Sequence, residues 1–205
     1  MTDLKHYIML LFLAVMPLCI CQAQSEIDPS AREQVKQYAM QRVNEFNGDL
    51  SFISSKKYEN SVKDFYIKEA LRLFIGHGDE SHDLDGRTIP APIMEVSSIN
   101  RRTQAKRVRS RLLKTYLNAL KDLRYDEVKV TASSAVFMST LQKVGTGRYE
   151  AVLTYAQVFV AKNDGITVYR DVTKKSIRVH IKVVEYGEKK RYDVLLGDVK
   201  VNATE

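Results

Sequence analysis

From Val128 to Val201 the chain is dominated by residues that alternate, or run apolar, in the manner of β-strands. A stretch of that length must have at least one face covered to be stable. Val128, Val130, Ala132, Val136 and Met138 keep period two, with Ser134 on the same face. From Arg148 to Val160, Tyr149, Ala151, Leu153, Tyr155 and Phe159 share one face, and Val152, Ala156, Val158 and Val160 share the other. Apolar residues on both faces predict a central strand covered on both sides, or covered by helices on one side and a partner chain on the other. Asn163, Asp164 and Gly165 supply a hairpin turn. Ile166 to Val172, Ser176 to Glu185 and Arg191 to Val201 complete an antiparallel meander, with links at Lys174 and Lys175 and around Gly187.

The residues before this sheet carry the cover. Asp28 followed by Pro29 reads as an N-cap with proline at the first helical position. Val35, Ala39, Val43 and Phe46 then draw one apolar stripe down a helix that is expected to stop near Asn47 and Gly48. A second helix is expected from about Tyr58 to Ile75. Val62, Phe65, Tyr66, Ala70, Leu73 and Phe74, with Ile67 and Leu71 on the flank, predict burial on most of its sides. Gly76, Gly78, Gly86, Pro90 and Pro92 mark a long loop, followed by a short strand from Ile93 to Ile99. A third helix is expected from about Arg102 to Leu123, with Val108, Leu112, Leu113, Tyr116, Leu117 and Leu120 inward.

Ahead of all this, Met1 to about Ala23 has the layout of a secretory signal: Lys5, an apolar run from Tyr7 to Val15, then Pro17 and small residues. The run is shorter than the ~20 residues a transmembrane helix needs. Cleavage after Ala23 removes both cysteines of the chain, Cys19 and Cys21, and leaves residues 24–205 as a single domain stabilised without disulfides. Leu18 three residues before Cys21 allows a second outcome, lipidation at Cys21. Either way the expectation is export, to a periplasmic or extracellular location.

The order of elements predicts an α+β fold, with N-terminal helices packed on a curved, mostly antiparallel C-terminal sheet. In that order, from Asp28 to Val201, the chain resembles the nuclear transport factor 2-like superfamily. The resemblance implies a sheet wrapped around helices, a pocket at its wide end, and dimerisation through the outer face. Members include isomerases, dehydratases and noncatalytic binding domains, so fold alone supplies no function.

Three groups of residues could carry chemistry. The resemblance implies, from the isomerases of that superfamily, a buried carboxylate that works with a tyrosine. Asp193, His180 and Tyr155 are the catalytic candidates, and Tyr149, Tyr155 and Tyr169 the pocket candidates. No residue matches a family catalytic motif, and tyrosines filling a core with His180 on the opposite pleat is the plainer reading. The second group is the loop from Gly76 to Gly86, with His77, Asp79, Glu80, His82, Asp83 and Asp85. A calcium loop fails there, because Ser81 stands at its first position and Pro92 at its twelfth. Zinc spacings are absent too, so neither metal nor cofactor is expected.

The third group is a basic cluster of Arg101, Arg102, Lys106, Arg107, Arg109, Arg111 and Lys114, which carries as much positive charge as the formal net charge of +7. On a helix it would form a positive strip suited to an anionic lipid or acidic glycan. Nucleic acid is disfavoured by export and by the lack of aromatic residues in the strip. These features point to an exported noncatalytic binding or interaction module. Its partners would be a small molecule or an envelope protein, or a second copy bound through the sheet. The alternatives are a small pocket enzyme using Asp193 or His180 with a tyrosine, and a structural component of an envelope assembly.

Overall fold

The computed structural model describes residues 28–83, 86–99, 106–133, 136–187 and 189–204. The stretch expected to be a signal, with Cys19 and Cys21, and also Asp85, Arg101, Arg102 and Ser134, lie outside these residues. The fold is α+β. Helix α1 runs Pro29–Ser54, α2 Asn60–Arg72 and α3 Leu113–Leu120, with a 3₁₀ turn Ile75–Gly78 after α2. The strands are β1 Ser81–His82, β2 Thr88–Ile89, β3 Ile93–Ile99, β4 Lys106–Leu112, β5 Glu127–Ala132, β6 Phe137–Met138, β7 Gln142–Gly145, β8 Arg148–Asn163, β9 Ile166–Tyr186 and β10 Lys189–Thr204. The main sheet has the order β4-β3-β10-β9-β8-β5, with β6 and β7 also paired to β8. All of its pairings are antiparallel except β3 with β10.

Helix α1 outruns its expected end. Asp28 caps it, with Pro29 in the first turn, but the apolar stripe continues past Gly48 through Leu50 and Ile53, both buried. That burial outweighs the ~1 kcal/mol an interior glycine costs a helix. Near its C-terminus the helix also serves the sheet. Ser51 Oγ accepts from Val130 N at 2.9 Å and Ser55 Oγ from Val128 N at 3.0 Å. The free edge of β5 is thereby satisfied by two serines, one of the ways a sheet edge is protected from pairing with other chains. Helix α1 touches both β5 and β10, with β8 and β9 between them, so it crosses one face of the sheet.

Helix α2 is shorter than expected and is covered on one side only. Ile67, Ala70 and Leu71 are buried, whereas Val62 and Phe65 are exposed. Lys63 is buried instead, its Nζ donating to Lys121 O at 3.1 Å, where a cation meets the C-terminal end of α3.

The expected third helix divides in two. Only Leu113–Leu120 is helical, and it buries Leu113, Leu117 and Leu120. Lys106–Leu112 is instead a strand paired along its length with β3. Val108 and Leu112, expected to face inward, are 44 % and 52 % exposed. Basic residues at every second position satisfy a strand as readily as a helix flank, and an available partner strand decides between them.

The meander holds, with one strand fewer than expected. Strand β9 is continuous for 21 residues through Lys174 and Lys175. The chain turns at Asp164 and Gly165 with φ of 49° and 77°, the left-handed pair a tight hairpin requires. The first expected strand breaks into β5 and β6. The inner face of β8 and β9 is Tyr149, Ala151, Leu153 and Tyr155 with Ile177, Val179 and Ile181, all buried against the helices. Among the described residues nothing encloses strand β8 fully on both faces: Val152 is 41 % exposed, and Val158 and Val160 are half-buried.

The described residues of the loop from Gly76 to Gly86 take part in local pairing. β1 and β2 pair there, Ser81 with Ile89 and His82 with Thr88. Asp83 meets Arg148 Nη1 at 2.9 Å with both side chains largely buried, and its Oδ1 accepts from Arg87 N at 2.8 Å. Among the described residues no three His, Asp or Glu side chains group in a way that could hold a metal ion.

Candidate functional site

The N-terminal half of α1 stands beside the β9–β10 hairpin, and two adjoining clefts open between them. One, of about 680 Å³, lies between Gln34, Tyr38, Gln41 and Arg42 of α1 and residues 190–195 of β10. The other, of about 800 Å³, extends the first past the start of α1 to Lys143, Tyr149, Lys182 and Glu185. Gln34, Lys190 and Tyr192 line both, so the two form one groove.

Helical spacing explains the α1 wall. Gln34, Tyr38 and Gln41 fall at i, i+4 and i+7 on the flank beside the buried Val35, Ala39 and Val43. Gln34 Nε2 donates to Tyr38 OH at 3.1 Å, and Gln41 Nε2 to Glu45 Oε1 at 2.9 Å. The carboxylates of the groove are also engaged. Asp28 accepts from Ser30 Oγ at 2.6 Å, Glu185 meets Lys190 Nζ at 3.5 Å, and Asp193 meets Arg191 Nε at 3.0 Å. Such a groove offers a ligand amides, phenols and more cations than carboxylates: Arg42, Lys143, Lys182, Lys190 and Arg191 against Asp28, Glu185 and Asp193. Acid-base work would need a carboxylate free to face a reacting atom.

The residues expected from sequence scatter. Asp193 does line the groove, and Tyr149 forms part of its floor. Tyr155 does not: it is 1 % exposed in the core, and its hydroxyl finds no partner among the described residues. Burial pushes its phenol well above the usual tyrosine range, with Tyr116 adding to the shift. Tyr169 packs edge-on against Phe159 at 5.8 Å between ring centres.

His180 faces the other side of the sheet from Tyr155, so strand geometry keeps them apart. Its Nδ1 lies 3.2 Å from Glu150 Oε1. Burial holds the imidazole below its ordinary range, helped by Arg178 and opposed by Glu150 and Asp198.

The basic cluster is rearranged as well. Arg107, Arg109 and Arg111 lie along one row of β4, all exposed. Lys114 belongs to α3 and pairs with Asp79, 2.6 Å from Nζ to Oδ1. Arg101 and Arg102 lie outside the described residues, and Lys106 is described as a backbone position of β4. The helical i,i+4 strip is replaced by a strand with period two.

Two polar groups escaped the sequence reading. Lys175, expected in a link, is 5 % exposed inside the sheet, opposite Tyr155 on β8 and Val201 on β10. Burial lowers its ammonium to about 8, with Asp171 opposing. Asp49 on α1 is pushed up to about 7 by burial and by Glu69 and Glu45. The signal for Lys175 was its inward parity in a strand assumed to be broken at that point. The Gln34, Tyr38, Gln41 flank was visible as a polar stripe beside the apolar one.

Comparison with protein-family models, with curated proteins and with solved structures finds no match for this chain.

Proposed function

We propose that this chain is an exported, noncatalytic binding module of nuclear transport factor 2-like shape whose ligand lies in the groove between α1 and the β9–β10 hairpin. The observation that carries the reading is the chemistry of that groove. Three tyrosines and two glutamines line it, while Asp28, Glu185 and Asp193 are each held by a neighbour. A concave surface with a few placed polar groups binds and orients. The reading favours a polar, hydroxyl-bearing ligand that exchanges hydrogen bonds with amides and lies against phenol rings.

Export is tested by the intact mass of protein recovered from its own host. Loss of residues 1–23 supports it, a diacylated Cys21 replaces soluble export with anchoring, and an intact N-terminus refutes both. The groove is tested by native mass spectrometry of the same protein. A bound small molecule retained by the wild type and lost from Tyr38→Ala/Tyr192→Ala supports the reading, and conversion of that molecule to a product by the purified protein overturns it.

A homodimer through the outer face of the sheet belongs to the same proposal. Val152 and Phe137 are exposed on that face, and Val158, Val160 and Val172 are half-buried. Sedimentation equilibrium giving a monomer at all concentrations would remove it.

A further inference from the structure

We infer that β4 is a docking edge for an extended segment of another protein, one that alternates acidic and apolar residues. The two edges of the main sheet differ. β5 has the amides of Val130 and Val128 taken up by Ser51 of α1 and by Ser55, the residue that follows it. β4, at the other end, pairs with β3 alone among the described residues, leaving a row of backbone donors and acceptors for an added strand.

The side chains of β4 separate into two rows with different chemistry. Arg107, Arg109 and Arg111 form one, all exposed and with no carboxylate partner among the described residues, and neighbouring guanidinium positions repeat every ~6.7 Å. Val108 and Leu112 stand on the other row, 44 % and 52 % exposed, with Ser110 between them.

Each row narrows the occupant. A second copy pairing antiparallel through β4 would set arginine opposite arginine, which like charge disfavours. A row of charge alone could serve only to keep strands away, but such a device has no need of exposed Val108 and Leu112 beside it. A polyanion would answer the arginines and leave the apolar row and the free backbone groups in water. A strand with Glu or Asp at alternate positions answers all three, because its own period of two puts acids over the arginines and apolar residues over Val108 and Leu112.

The test uses the full chain and two labelled peptides of equal composition, four Glu and four Val, one alternating and one in blocks. The alternating peptide is expected to bind at least tenfold more tightly than the block peptide and to slow amide exchange within residues 106–112. Arg107→Gln/Arg109→Gln/Arg111→Gln is expected to weaken it by about tenfold or more, since each opposite-charge cross-strand pair is worth up to roughly fivefold. Equal binding of the two peptides, or heparin competing as well as the alternating peptide, would assign the row to polyanions and overturn the proposal. Dimerisation that protects the same amides without peptide would overturn it in favour of a second copy, and absence of peptide binding would leave β4 as a guarded edge. The exchange measurement on wild type decides even if the triple variant does not fold.

Discussion

Gln157 donates its Nε2 hydrogen to Asn47 Oδ1 at 2.6 Å in the core, tying α1 to β8 across 110 residues of chain. Asn47 is 1 % exposed and Gln157 7 %, and Asn47 Nδ2 has no acceptor among the described residues. The pair fixes how the helix sits on the sheet. An amide left alone there loses its partner and gains no water.

Asn47→Leu should therefore destabilise the fold by about 1–3 kcal/mol, because it orphans the Gln157 amide. Asn47→Leu/Gln157→Leu should recover part of that loss. Urea denaturation of the two variants measures the difference; equal or greater loss in the double variant would show that packing, not the unpaired amide, sets the cost.

Lys175→Met is expected to stabilise the protein at neutral pH. In the folded state the ammonium is lowered to about 8 from its ordinary 10.5. Between these values the unfolded chain binds more protons, so stability rises with pH across the window. Below pH 8 the full penalty of burying the charge is present, on the order of 3 kcal/mol. Thermal unfolding from pH 7 to 10.5 should show the gain from Lys175→Met shrinking as pH rises. A constant gain would mean that Lys175 stays charged in the fold.

Ser51 and Ser55 guard the β5 edge, and removing their hydroxyls should free it. Ser51→Ala/Ser55→Ala is expected to cost about 2 kcal/mol for two hydrogen bonds to strand amides. Light scattering on warming should reveal earlier aggregation in the variant, by edge pairing. Aggregation unchanged at matched unfolded fraction would refute the guarding role.

Gly197 sits beneath His180: a Cβ at this position would lie 2.6 Å from Nε2 and 3.1 Å from Cδ2. Gly197→Ala should swing the ring away from Glu150 and into water. In wild type His180 titrates below its ordinary 6.5. As pH falls through 6.5 the unfolded chain takes the proton first, so stability drops until the folded pKa is passed. An NMR titration should place the His180 pKa closer to 6.5 in Gly197→Ala, and acid should destabilise that variant less through this group. An unmoved titration would show that the ring does not depend on the space over Gly197.

Much of the fold was legible because burial writes period two and period 3.6 into sequence. The stripe Val35, Ala39, Val43, Phe46 and the inner row Tyr149 to Tyr155 are both found where their spacing put them. What misled was local chemistry overruled by tertiary partners. Gly48 reads as a stop until Leu50 and Ile53 find a core, and Lys174–Lys175 reads as a link until Lys175 is seen buried within β9. Residues 106–112 fit a helix by their charges and a strand by their alternation, and pairing with β3 settles which. The groove was the least legible part. Asp193 and Tyr149 were singled out, but Gln34, Tyr38 and Tyr192 join them only through the docking of α1 beside β10.

The central claim, that the groove between α1 and β10 holds a ligand without transforming it, is tested most directly by native mass spectrometry of the protein purified from its own host, alongside Tyr38→Ala/Tyr192→Ala. The account predicts a small-molecule adduct on the wild type, unchanged on prolonged incubation and missing from the variant. An adduct that persists on the variant, or a wild type that carries none, would contradict it.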